Sequence, residues 1–157
     1  VVVVIFHDHG TRYLGKMFND EWMRDRGFLE VEKKTAKDLI ADHADKPLVT
    51  IGSGELVGHA VAKMKKFNIT QIPVIKDGQF AGSIDESKVF QVLVEDSRLL
   101  DKKIEDVMGA PFPIVEESTD INSLSKLINR DTPAVLVKMQ NGKYHIVTKY
   151  DVIDGIA

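Results

Sequence analysis

The chain contains no cysteine. Disulfides and thiol chemistry are therefore excluded, and a cytoplasmic setting is the expectation. An excess of positive charge is also missing: 21 Lys and Arg face 24 Asp and Glu, for a net charge of −3. No basic stripe runs along the sequence, which argues against nucleic acid or an anionic membrane as a partner. No apolar run approaches the ~18 residues needed to cross a bilayer. Residues 1–6, VVVVIF, are apolar, but they have no basic segment, no small-residue cleavage site and no initiating Met. They do not read as a signal peptide. With 157 residues the chain suffices for one domain or two small fused ones. A chain of this size buries roughly 68–70% of its unfolded surface and needs no covalent staples.

What the sequence does have is a repeat. Residues 133–157 (PAVLVKMQNGKYHIVTKYDVIDGIA) echo residues 73–97 (PVIKDGQFAGSIDESKVFQVLVEDS). Each copy is an apolar run, a turn, a second run and an amphipathic helix. Asp77-Gly78 and Asn141-Gly142 supply the turns, and both dipeptides favour the positive φ of a tight hairpin. Upstream, Val57, Ala60 and Met64 align with Ile121, Leu124 and Ile128 at one constant offset. The order helix–strand–strand–helix thus occurs twice. One such unit cannot cover both faces of a short sheet, whereas two packed face to face can. The predicted fold is α+β: two pseudo-twofold repeats packed sheet to sheet.

The other segments are read in the same way. Residues 1–6 form a β-branched run without alternation, as in a strand covered on both faces, and read as part of a domain lying upstream. Residues 11–26 form a helix with an apolar stripe that must be buried, ended by Gly27. Short helices follow at 35–40, with Thr35 as N-cap, and at 103–108. A longer helix spans 55–67, with Leu56, Ala60, Met64 and Phe67 inward. Strands are expected at 71–76 and 80–84, and a helix at 86–97 with Val89, Phe90, Leu93 and Val94 on one face. Thr119 or Asp120 caps a helix carrying Ile121, Leu124, Leu127 and Ile128. His7 with His9, and Asp42 with His43 and Asp45, read as polar loops rather than metal ligands, so no metal site is expected. The string GSGELVG at 52–58 is one residue too long for a dinucleotide fingerprint.

The chemistry concentrates where the last strand meets the last helix. Thr148 and Asp151 stand three residues apart there. Two readings stay open. A hydroxyl at a helix N-terminus can meet an anionic or polar ligand while the carboxylate accepts from vicinal hydroxyls such as those of a ribose. Alternatively the two side chains form a capping box.

Two family resemblances follow. Residues 1–30, with Arg12-Tyr13, Asn19-Asp20, Trp22-Met23 and Gly27-Phe28, resemble the end of the catalytic domain of cystathionine β-synthase. That family is a group of pyridoxal-phosphate lyases of cysteine biosynthesis. The family's cofactor-binding lysine lies upstream of this match, so the resemblance implies a regulatory piece that is not itself an enzyme. It carries no cofactor of its own, and pyridoxal phosphate belongs to the parent catalytic domain. From residue 35 onward the chain resembles a tandem CBS-domain pair, or Bateman module. His145-Ile146-Val147-Thr148-Lys149-Tyr150-Asp151 matches the family's G-h-V-T-x-x-D, with His145 in place of the usual Gly.

These resemblances imply three parts: 1–34 as catalytic-domain remnant and linker, 35–100 as the first repeat and 101–157 as the second. They also imply an adenosyl ligand between the repeats, S-adenosylmethionine or AMP, ADP or ATP. Thr148 and Asp151 would hold phosphate or ribose, and Ile146 and Tyr150 would flank the nucleoside. Ile69, Thr70 and Gln71 would line the cleft, with Val49 as apolar cover. Thr70 is neutral where the animal enzymes are acidic, which leaves the choice among these ligands open. In the first copy Asp85 and Lys88 replace the hydroxyl and the carboxylate, so one competent cleft is expected rather than two. The partners implied are the nucleoside, the parent catalytic domain and a second copy in a homodimer, for which Val89, Phe90 and Leu93 are candidate contacts. A ligand-free dimerisation scaffold is the alternative.

Overall fold

The chain divides into two units, Val1–Lys33 and Lys34–Ala157. The structure is a computed structural model that describes residues 2–4, 11, 15–29, 34–41, 46–95 and 100–156. The His7/His9 and Asp42/His43/Asp45 loops, Arg12-Tyr13 and the side chain of Leu93 lie outside the described residues.

In the first unit, helix α1 spans Asp20–Asp25. The Asn19 side chain accepts from the Trp22 amide at 3.0 Å, and Asp20 and Glu21 complement the positive end of the helix. Gly27, at φ 71°, ends it. The Phe28 amide reaches back to the Met23 carbonyl and the Gly27 amide to that of Arg24, which is a Schellman closure. The helix is shorter than the predicted 11–26. Met17 and Phe18 of the apolar stripe, and Phe28 beyond Gly27, are exposed within this chain. Of the predicted strand at 1–6, residues 2–4 are described. Val2, Val3 and Val4 are exposed and belong to no strand. A β-branched run becomes a strand only where another strand accepts its ladder.

The second unit holds two three-stranded sheets. Its elements are α2 (Ala36–Ile40), β1 (Ile51–Gly52), α3 (Val57–Phe67), β2 (Gln71–Lys76), β3 (Gln79–Asp85) and α4 (Glu86–Glu95). After a 3-10 turn at Ile104–Asp106 come β4 (Ile114–Glu116), α5 (Ile121–Leu127), β5 (Ala134–Lys138), β6 (Tyr144–Thr148) and α6 (Lys149–Ile156). In each sheet a hairpin (β2–β3, β5–β6) is extended by a short parallel strand (β1, β4). The expected α+β pair of repeats is therefore present, with one more strand per sheet than the sequence pattern announces.

β5 shows why its sequence is apolar without alternation. Val135 and Val137 pack with Val147, Leu124 and Val152 on the helical side. Ala134 and Leu136 pack with Phe112 on the opposite side, against Leu48, Phe80, Tyr144 and Ile146. Both faces are covered, so both must be apolar. The Asp77-Gly78 turn has positive φ at both residues, as a two-residue hairpin requires. The second turn departs from expectation. Among its residues only Gly142 has positive φ. The Gly142 amide returns to the Met139 carbonyl, and the Met139 amide donates to the Lys143 carbonyl. The loop is therefore longer than a two-residue turn.

The leading helices cross between repeats. Ala36, Leu39 and Ile40 of α2 are buried with Ile121, Leu124 and Val152 of the second repeat. The Ala36 and Lys37 amides donate to the Thr119 and Glu117 carbonyls. Reciprocally, Ile104 sits in the core of the first repeat with Val57, Ile72 and Ile84, and its amide donates to the Glu55 carbonyl at 2.8 Å. Burying a side chain such as Ile40 or Ile104 contributes about 1.5–3 kcal/mol. Each repeat thus supplies apolar surface that the other needs. α3 differs from its predicted inward face. Val57, Ala60 and Met64 are buried, whereas Phe67 is exposed, because Asn68 at φ 51° turns the chain away after one more residue.

Candidate functional site

Three stretches meet at one end of the paired sheets: the entry to β1, the turn from α3 into β2, and the junction of β6 with α6. Between them lies a cavity of about 620 Å³, within the usual range for small-molecule sites. All eight residues singled out from the sequence line it: Val49, Ile69, Thr70, Gln71, Ile146, Thr148, Tyr150 and Asp151. The first four belong to the first repeat and the rest to the second. The cavity also takes in Lys46, Pro47, Leu48, Phe67, Asn68 and His145. Of these, His145 was noted from the sequence beside the Thr148–Asp151 motif, and Phe67 only as an inward residue of α3. Asn68 had a legible signal, since an Asn just after a helical stripe is a common left-handed cap. The 46–48 stretch had only its Lys-Pro step, which enforces extended backbone.

Local hydrogen bonds set the polar groups. The Thr148 hydroxyl donates to Asp151 Oδ2 at 2.7 Å, and the Thr148 amide donates to the same oxygen at 2.6 Å. The carboxylate therefore closes the start of α6 as a cap. Capping and ligand contact are not exclusive, because both residues face the cavity and a carboxylate has roughly four acceptor positions. Across the cavity the Thr70 hydroxyl donates to Gln71 Oε1 at 2.8 Å. Tyr150 is 70% exposed, with the Lys149 ammonium 5.8 Å from its ring centre. The walls are largely apolar and the polar groups few, which suits a flat heterocycle with a hydroxylated substituent.

The β3–α4 junction, the counterpart of the β6–α6 one, carries other side chains. Asp85 Oδ1 accepts from the Lys88 amide at 2.9 Å, and its Oδ2 lies 3.5 Å from Lys88 Nζ. The stretch 108–110 lies on β3. Ser83 and Gly109 exchange backbone bonds of 3.2 and 2.9 Å, and the Ser83 hydroxyl donates to the Ala110 carbonyl at 2.7 Å. A Cβ on Gly82 would fall 2.6 Å from Met108 Sδ, so Met108 occupies the space beside β3.

A family model for the CBS domain matches residues 36–95. The CBS-domain containing protein ATU1752 of Agrobacterium tumefaciens aligns in structure with a TM-score of 0.72 at 17% identity, over 82% of this chain and 99% of its own. The fold is that of a CBS-domain pair. A second similar structure is the CBS domain pair of protein MJ0100, solved in complex with 5′-methylthioadenosine and S-adenosyl-L-methionine. Its TM-score is 0.64 at 21% identity, covering 79% of this chain and 100% of that one. In sequence, a cystathionine beta-synthase of Dictyostelium discoideum is 24% identical over 170 residues, which cover 96% of this chain and 33% of the relative. The chain therefore spans about a third of that relative's length. Among the described residues of the CBS pair no cluster of His, Asp or Glu could hold a metal ion. None of their helices is long and apolar enough to cross a membrane.

Proposed function

We propose that this CBS pair is a regulatory module. It senses an adenosyl ligand, S-adenosylmethionine or one of AMP, ADP and ATP, and controls an attached cystathionine β-synthase-like enzyme. One observation carries the reading: Val49, Ile69, Thr70 and Gln71 from one repeat converge with Ile146, Thr148, Tyr150 and Asp151 from the other on a single cavity. The likeness to a CBS pair holding adenosyl compounds supports it. The nucleoside would lie between the apolar walls. The ribose hydroxyls would donate to Asp151 in place of part of its bonding to Thr148. The start of α6 favours an anionic substituent. Because the two repeats share one ligand, binding would bias the angle between them, a coupling typically of ~1–3 kcal/mol. Pyridoxal phosphate and catalysis would belong to the parent domain, in the cytoplasm. Thermal unfolding with each of the four adenosyl compounds tests the reading. At 100 times its dissociation constant a ligand adds about 2.7 kcal/mol, and a melting curve unmoved by all four would end it.

A second reading, a dimerisation scaffold without ligand, is favoured by exposed apolar side chains on two helices. These are Phe90 and Val94 on α4 and Tyr150 and Ile153 on α6. Sedimentation over a range of concentrations decides it, since a monomer throughout is incompatible with a scaffold.

A further inference from the structure

A second cavity of about 370 Å³ opens beside the first and shares Lys46, Pro47, Leu48 and His145 with it as a common wall. Its far side is formed by Phe80 of β3 and Tyr144 of β6, whose rings meet edge to face at 5.1 Å. Lys46 and Lys143 stand on its rim. Both are exposed, and among the described residues neither ammonium group is paired with a carboxylate. The two chambers therefore offer different chemistry. The first presents a carboxylate and a hydroxyl suited to a ribose. The second presents an aromatic wall suited to another planar ring, and two cations stand along the shared wall and rim, where a bridging group would lie.

We propose that the two chambers bind one ligand, an adenine dinucleotide. Its adenosine half would sit at Thr148 and Asp151, its diphosphate would pass Lys46 and Lys143, and its second ring would rest on Phe80 and Tyr144. This rests on the adenosyl-sensing reading and narrows it. A mononucleotide fills the first chamber and leaves the aromatic wall unused. A triphosphate arm meets the lysines but offers nothing flat to the rings.

Calorimetric titration of the full chain with AMP, ATP and nicotinamide adenine dinucleotide tests the proposal. The dinucleotide is expected to bind more tightly than ATP through its second ring, and about tenfold more tightly than AMP, the order expected of one added charge-assisted contact. Lys143→Glu should remove that advantage while leaving AMP within about twofold, since a rim charge distant from the ribose contributes little to AMP. Phe80→Ala should do the same. Lys143 lies in an exposed turn, so its variant remains informative if Phe80→Ala fails to fold. ATP binding as tightly as the dinucleotide, or Lys143→Glu weakening AMP and dinucleotide equally, overturns the two-chamber proposal and leaves the adenosyl reading standing. No binding by any of the three compounds overturns the dinucleotide proposal, and the adenosyl reading falls with it only if S-adenosylmethionine and ADP also fail to bind.

Discussion

Asp151 Oδ2 accepts both the hydroxyl and the amide of Thr148, at 2.7 and 2.6 Å. The same geometry recurs at the start of α2, where Asp38 Oδ2 accepts the Thr35 amide at 2.7 Å and its hydroxyl at 2.9 Å. One Thr-x-x-Asp pair lines the cavity of about 620 Å³ and the other does not, so the chain carries its own control for separating capping from ligand binding there.

Asp151→Ala and Asp38→Ala should each lower stability by about 1 kcal/mol through loss of the cap. Only Asp151→Ala should also weaken an adenosyl ligand, by about 1.5–3 kcal/mol for a hydrogen bond to a charged group. Chemical denaturation gives the first quantity and calorimetry the second. Equal ligand affinity in both variants would reduce Asp151 to a cap.

Acid should destabilise the fold through three caps and turns. Asp38 is held below the ordinary carboxylate range by the Thr35 amide and then its hydroxyl. Asp120 is held low by the Ser123 hydroxyl and then its amide, and Glu55 by the Gly52 amide with help from Lys63. A depressed carboxylate contributes stability above its unfolded pKa, near 4, and loses it as pH falls through the lower folded value. Stability should therefore be flat from neutral pH to about 5 and fall below about 4. In Asp38→Asn/Asp120→Asn that decline should be shallower and start from a lower plateau. Denaturant midpoints across the pH range read both features.

The crossing of α2 onto the second repeat predicts an effect far from its own sheet. Leu39 packs against Ile121 and Val152, and Lys34 Nζ donates to the Gly155 carbonyl at 2.6 Å. Leu39→Ala should cost about 2–5 kcal/mol. Hydrogen exchange should quicken in α5 and α6 rather than in α3. Protection lost mainly around β2 and β3 would contradict this packing.

Gly82 and Gly109 lie where the 108–110 stretch pairs with β3 and should differ in tolerance. A Cβ on Gly82 would meet Met108 Sδ at 2.6 Å and the Gly109 carbonyl at 2.9 Å, and the second of these is fixed by its bond from the Ser83 amide. Gly82→Ala should cost about 1–3 kcal/mol as overpacking. A Cβ on Gly109 would meet the tip of Lys88, which is partly exposed and can swing away, so Gly109→Ala should be milder. Denaturation midpoints rank the two.

The side chains at the β3–α4 junction bear on stoichiometry. Because Asp85 and Lys88 satisfy each other and Met108 covers Gly82, one ligand per chain is expected in calorimetry. Two equivalent sites would mean that the 108–110 stretch opens.

Both hairpins, the helices that follow them and the repeat were legible in the chain itself, because each depends on neighbours within a few residues. Asp77 and Gly78 set a turn by their own φ preferences. Residues 134–137 read as an apolar strand, while the covering of both its faces shows only in the packing. The two parallel strands were not legible, since runs as short as Ile51–Gly52 and Ile114–Glu116 hold no periodicity and become strands only by pairing with β2 and β5. The eight site residues were named from a resemblance and a spacing. That they share a cavity with Lys46, Phe67, Asn68 and His145 depended on which surfaces meet.

Local preference thus decided the helices, hairpins and caps of this protein. Only the tertiary structure decided that α2 serves the second sheet and Ile104 the first, that Met108 lies against Gly82 of β3, and that a second chamber adjoins the first. Turn and helix propensities act over a few residues, whereas burial is a property of surfaces brought together from far along the chain, and the sequence order carries no direct record of those meetings.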